Sequence, residues 1–153
     1  MQGLASDLTG FLFKLVHCLL PTQDRVSRFG GDDDHGLCNF CSDEAETPLH
    51  AFFQCQHNML SGLALLGYIQ AVVPDLSTEA ALRLELGRQL SEVEELATMY
   101  VLSIGLKYIW EARVERKQVR LYKMRSEVEA RVTILRKTRH AEAANLMLEM
   151  INL

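Results

Sequence analysis

Three cysteines and a histidine stand at the spacing Cys38-x2-Cys41-x8-His50-x4-Cys55, inside eighteen consecutive residues. Thiolate and imidazole are the ligands that a borderline-soft cation without redox chemistry prefers. A Cys-x2-Cys turn lets two sulfurs converge on one ion, and a later His/Cys pair closes a tetrahedron around it. The spacing predicts one zinc ion on Cys38, Cys41, His50 and Cys55. With all four positions filled by protein, the expected role is structural, since a catalytic zinc keeps one position open. Competing chemistries are a Cys38–Cys41 disulfide and a thioredoxin-type redox pair. The redox pair needs a strand-to-helix context, and the flanking segments GDDDHG and SDEAET are acidic loops that would not lower a thiol pKa. His57 competes with Cys55 for the fourth place, but it lies outside the x4 spacing and thiolate is the stronger zinc ligand. Cys18 and His17, in the apolar run GFLFKLVHCLL, read as a small buried hydrophobe and a core histidine.

The elements that must carry these ligands read as helices. Leu8 to Leu20 is an apolar-rich helix stopped by Pro21, and Thr22 caps a short helix that ends at Gly30. Residues 31–46 read as loop. Thr47 and Pro48 open a helix that bears His50 and Cys55, whose five-residue separation places them well apart on a regular helix unless its last turn opens. The apolar run continues to Val73, with Ser61-Gly62 as a weak point and Pro74 as its end. Ser77 caps a helix through Leu90, and Ser91 with Glu94 forms a capping box for the next. From Glu92 to Leu153 there is no proline and Gly105 is the only glycine, so the pattern allows one continuous rod. Along it Trp110, Val114, Lys117, Leu121, Met124, Val128, Arg131 and Leu135 make a heptad-like stripe, which suits packing on the domain or on a second copy.

Charge is divided unevenly. Residues 1–106 hold five lysines and arginines against fourteen aspartates and glutamates, whereas residues 107–140 hold eleven against four. Such asymmetry points to an anionic partner or to an internal acid/base contact. Arg113, Arg116, Lys117, Arg120, Lys123, Arg136, Lys137 and Arg139 form the expected cationic face, with Tyr108, Trp110 and Tyr122 interleaved. Arginine mixed with aromatic residues neutralises phosphates and stacks on unpaired bases, while a basic helix is also a common solvated surface. Asp32, Asp33 and Asp34 read as solvated loop charge.

The segment LLPTQDRVSRFG, then LCNFC, then EAETPLHAFFQC resembles the zinc-binding domain that follows the polymerase in reverse transcriptases of LINE-type, non-LTR retrotransposons. The resemblance rests on the lead-in Leu20, Pro21, Thr22, Asp24 and Arg25, on the stop at Gly30, on the paired cysteines, and on the closure through Phe52 and Phe53 to Cys55. It covers residues 10–57, with an echo at Ile109 to Arg113 of a Trp-x-x-Arg helix. It implies RNA or DNA contact and an origin as a fragment, or as a remnant expressed alone; the initial methionine favours the latter.

A chain of 153 residues that is 48% hydrophobic and 24% charged has the composition of a soluble globular domain able to bury a core. No apolar run reaches the length of a membrane span, and cysteines grouped in one metal pattern indicate a reducing, intracellular compartment, nuclear or cytoplasmic. No Tyr-x-Asp-Asp strand, no acidic pair followed by Glu-x-Lys on a sheet edge, no phosphate-cradling glycine loop and no recognisable Ser/His/Asp spacing is found, so neither an enzyme nor a small-molecule site is expected. The expectation is an all-α fold: a zinc-knuckle helical subdomain over 1–74 and a helical region over 75–153, with a long basic C-terminal helix or helical pair. Its role is nucleic-acid binding through Phe40, Arg113, Arg116, Lys117, Arg120 and Lys123. The alternative is a protein-interaction scaffold, a homodimer through the heptad stripe.

Overall fold

The structure, a computed structural model, describes residues 4–30, 36–87 and 89–152; Asp32, Asp33 and Asp34 lie outside them. In chain order the elements are α1 (Ser6–Val16), α2 (Gln23–Ser27), a π turn (His50–Gln54), α3 (Met59–Gln70), α4 (Thr78–Arg83), α5 (Glu92–Val114), α6 (Leu121–Leu135) and α7 (Ala141–Ile151). Among the described residues the only strand-like pairing is an isolated bridge between Leu37 and Ala45. The fold is all-α.

Helix α5 is the axis of the molecule. Ten consecutive residues, Ala97 to Leu106, are buried, and α1, α3, α6, α7 and the π turn all pack on it. A helix buried on every side must offer small residues where neighbours approach. Gly105 does so for α3, since a Cβ there would overlap the Leu65 side chain. Gly62 does the same within α3, where a Cβ would overlap the Phe52 carbonyl oxygen. The expected weak point Ser61-Gly62 is therefore no break: both residues are buried inside a continuous helix. The α5 start is the expected capping box, with the Glu94 amide donating to Ser91 Oγ and the Ser91 amide to Glu94.

The stops differ from expectation, and for one physical reason. Three helices end on non-glycine residues in the left-handed region: Cys18 (φ 52°) after α1, Leu84 (φ 57°) after α4 and Arg116 (φ 54°) after α5. Each makes the paired hydrogen bonds of a Schellman cap, for example Lys117 N–H to the Ala112 carbonyl and Arg116 N–H to that of Arg113. The first stop ends α1 at Val16 and turns Leu20 inward, leaving Leu19 exposed; it also puts His17 and Cys18 on the surface, not in the core. The second ends α4 at Arg83, well short of Leu90. The third breaks the rod that the pattern allows, which breaks again between α6 and α7, so the C-terminal region is three helices folded back on themselves.

Folding back buries Met124, Val128, Val132 and Leu135 of α6, and Ala143, Ala144, Met147, Met150 and Ile151 of α7. An extended rod would leave those side chains in water, at about 1.5–3 kcal/mol for each large one. The heptad-like stripe is thereby divided: Met124, Val128 and Leu135 face this chain's own core, while Val114 and Lys117 are exposed. The acidic and basic halves meet at Asp7, which lies 3.6 Å from Lys107 and 3.7 Å from Arg131, and at Glu46, which pairs with Arg113.

Candidate metal centre

Two local structures supply the four ligands. The first is a small loop over residues 36–46, closed by the Glu46 amide on the Gly36 carbonyl and by the Cys38 amide on the Glu44 carbonyl. Inside it the Phe40 and Cys41 amides point at Cys38 Sγ, at 3.3 and 3.5 Å. The second is the π turn. Its opening residue is capped by Thr47, whose Oγ1 accepts from the His50 amide at 3.1 Å. The Cys55 amide reaches back to the His50 carbonyl at 2.7 Å, an i to i+5 bond. The wider turn closes the angle that a regular helix would leave between His50 and Cys55. Asn58 then bonds the Ala51 carbonyl at 3.1 Å and starts α3.

The ligand atoms of Cys38, Cys41, His50 and Cys55 all lie within 4.8 Å of one another and could hold one metal ion. Two sulfurs at about 2.3 Å from a tetrahedral zinc stand about 3.8 Å apart, and a sulfur and an imidazole nitrogen about 3.5 Å. Cys38 Sγ and Cys55 Sγ are 3.8 Å apart, and Cys41 Sγ is 3.3 Å from His50 Nε2. The donor set and its dimensions fit. His57 does not compete: its ring lies 5.6 Å from that of Phe40, outside the cluster.

His50 is buried, and its Nδ1–H donates to the Glu44 carboxylate at 3.2 Å, leaving Nε2 as the ligand atom. Such an outer carboxylate fixes both tautomer and ring orientation. Cys38 is held by more. Burial alone would raise its pKa, but the Cys41 and Phe40 amides, then Arg113 and His50, bring it from 9.0 down to about 6. Cys55 moves the other way, raised by burial and by the neighbouring Cys38 sulfur.

Arg113 is the residue whose role the sequence reading missed. Its guanidinium Nη2 donates to Cys38 Sγ at 2.9 Å and to Glu46 at 2.6 Å, with the two side chains 3% and 5% exposed. Its Cζ lies 4.6 Å from the centre of the Phe40 ring. Burial disfavours the charged form, yet Glu46 and Cys38 hold the guanidinium protonated. A divalent ion on three thiolates and a neutral imidazole would carry one net negative charge, and Arg113, shared between Cys38 and Glu46, would offset part of the combined negative charge. Three residues earlier Trp110 packs against Phe52, ring centres 6.1 Å apart. Trp110 and Arg113 thus clamp the metal loop onto α5 from one helix face. The Trp-x-x-Arg spacing and the Glu44-x-Glu46 pair were the only hints of this.

Of the residues expected to meet nucleic acid, Arg113 is therefore an interior residue, because the buried Glu46 and Cys38 thiolate need a cation between them. Arg116, Lys117, Arg120 and Lys123 are exposed, around the turn from α5 to α6. Phe40 is half-buried, backed by Arg113 on one face. Phe40, Arg116 and Lys117 come together around a cleft of about 400 Å³ with Gln56, His57 and Gln118; Arg120 and Lys123 do not line it. A larger groove of about 1370 Å³ runs between α1, residues 84–87 and the starts of α5 and α7, and shares no residue with the metal centre. Among the described residues no helix is long and apolar enough to cross a membrane. Compared with protein-family models, with curated proteins and with solved structures, the chain has no match.

Proposed function

We propose that this chain is a zinc-stabilised, non-catalytic helical module that binds RNA or single-stranded DNA, of the kind that follows the polymerase in LINE-type reverse transcriptases. The ion is zinc because a tetrahedral S₃N set of this size suits it over harder divalent metals, and its four protein ligands leave no place for a reacting water. The observation that carries the binding role is the position of Arg116, Lys117, Arg120 and Lys123. They are exposed around the turn from α5 to α6, and two of them, Arg116 and Lys117, share a cleft with the Phe40 ring of the metal loop. Cations that can reach phosphates next to a stacking surface are what single strands require. The sequence resemblance of residues 10–57 supports the same reading.

Titration of a short single-stranded RNA by fluorescence anisotropy at several salt concentrations tests it. Replacing Arg116, Arg120 and Lys123 together with Gln removes three charges that hold no part of the core. If each made one phosphate contact, the slope of log K against log[salt] flattens by about 2. A wild-type protein that binds nothing at low salt, or a triple variant with an unchanged slope, removes the proposal. A second reading, a protein-interaction module, is favoured by α3, where no charged residue occurs from Thr47 to Pro74 and Leu60 is 74% exposed. Sedimentation equilibrium of Leu60→Glu against wild type, with no RNA present, separates the two, because only the second reading predicts association of the protein itself through Leu60.

A further inference from the structure

The cleft beside the metal centre has a more specific composition than a phosphate-binding surface needs. The Phe40 ring lines it and also carries the buried Arg113 guanidinium, whose Cζ lies 4.6 Å from the ring centre. The cation–π contact with Arg113 helps to hold the ring in place beside the cleft. The His57 ring stands against Phe40 at 5.6 Å and 55°, forming a second wall. Gln56 and Gln118 add amides, each of which offers a donor and an acceptor together, as base edges do. Arg116 and Lys117 line the same cleft.

Arg116 also occupies a left-handed position, φ 54°, where glycine is the usual residue. At about 400 Å³ the space is near the lower end for small-ligand sites, enough for one planar group but not for a duplex or a helix.

We propose that this cleft, between the metal loop and the α5–α6 turn, is a subsite for one unstacked nucleobase of a single strand. The base stacks on Phe40 beside His57, its edge faces Gln56 and Gln118, and Arg116 and Lys117 take the adjoining phosphates. This deepens the nucleic-acid reading and rests on it. Because Arg113 joins the Phe40 ring to Cys38, the metal centre sets the position of the ring, and metal loading supports base binding through that contact.

The test compares a short single-stranded RNA with an abasic oligomer of equal length and charge, on the full chain loaded with zinc. Stacking of one base predicts that the intact strand binds roughly five- to a hundred-fold tighter. Phe40→Leu should bring the intact strand down to the abasic level and leave abasic binding unchanged, with zinc content checked by elemental analysis. His57→Ala, which removes the second wall without touching a ligand, should lower the preference in the same direction. Equal binding of the two oligomers by wild type, both salt-sensitive, overturns the subsite while leaving the nucleic-acid reading intact. A preference that survives both Phe40→Leu and His57→Ala also overturns it. Binding of neither oligomer removes the reading and the subsite together, and a mononucleotide that binds as tightly as the strand shows that the cleft serves a free nucleotide instead.

Discussion

The metal loop and the α5–α7 bundle are stabilised by different means. Between residues 36 and 49 the buried side chains are Cys38 and Glu46, and no large apolar residue is buried there. The bundle, by contrast, encloses Leu102, Leu106, Ile109, Met124, Met147, Met150 and Ile151 almost completely. Burial of apolar surface is the dominant favourable term in folding, so the bundle has its own source of order while the loop has Arg113, the π turn and the four residues that could hold an ion. What the difference teaches is where coupling must lie. Among the described residues, Trp110 on Phe52 and Arg113 on Cys38 and Glu46 join the two regions by buried contacts.

The largest effect should follow removal of the ion. Structural zinc contributes apparent energies of about 10–16 kcal/mol in small peptides, far more than this loop's burial. Cys41→Ser, or chelation, is expected to abolish zinc in elemental analysis and to expose the amides of residues 36–55 to hydrogen exchange while those of α5 and α7 stay protected. Simultaneous loss of protection in α5 would break the comparison by making the molecule one cooperative unit.

Next come changes at the junction. Phe53→Ala empties a buried aromatic site beside Gly62 and should cost about 3–5 kcal/mol in denaturant unfolding. Arg113→Ala strands the buried Glu46 carboxylate and should cost a similar 3–5 kcal/mol and weaken zinc binding. The double variant Arg113→Ala/Glu46→Ala should lose less than Arg113→Ala alone, since no charge is then left buried without a partner. A double variant that loses more than the single one would mean that Glu46 stabilises the loop by another route.

Inside the bundle, Leu102→Ala should cost about 2–5 kcal/mol and leave zinc affinity unchanged, measured by competition with a chromophoric chelator. A fall in zinc affinity would show the bundle organising the loop at a distance. The smallest effect has the opposite sign. Arg116→Gly relieves a left-handed conformation and should raise stability by about 1 kcal/mol while weakening RNA binding. Gain of stability without loss of binding would separate the strained position from function.

Legibility in the sequence followed the same division. The four ligands were readable because a metal site built within eighteen residues is a matter of local spacing, and side-chain type alone selects the ion's chemistry. The caps at Ser77 and Ser91 were readable because each side chain meets amides three residues on. The choice of Cys55 over His57 followed from spacing too, and the all-α class from helical periodicity and the absence of strand patterns.

The helix stops at Cys18, Leu84 and Arg116 could not be read in that way. Each uses a residue that resists the left-handed region, so neither glycine nor proline marks it, and the modest strain is outweighed only by what the turn lets the following helix bury. For the same reason the unbroken pattern from Glu92 to Leu153 describes a rod in isolation but three packed helices in the folded chain. Arg113 is the sharpest case. In the sequence it is one cation among several on a basic helix, and only the tertiary fold brings Glu46 and Cys38 to it from more than sixty residues away. Local spacing determines which groups can share an ion; which charge is buried to balance that ion depends on contacts distant in the chain, and burial selects among them.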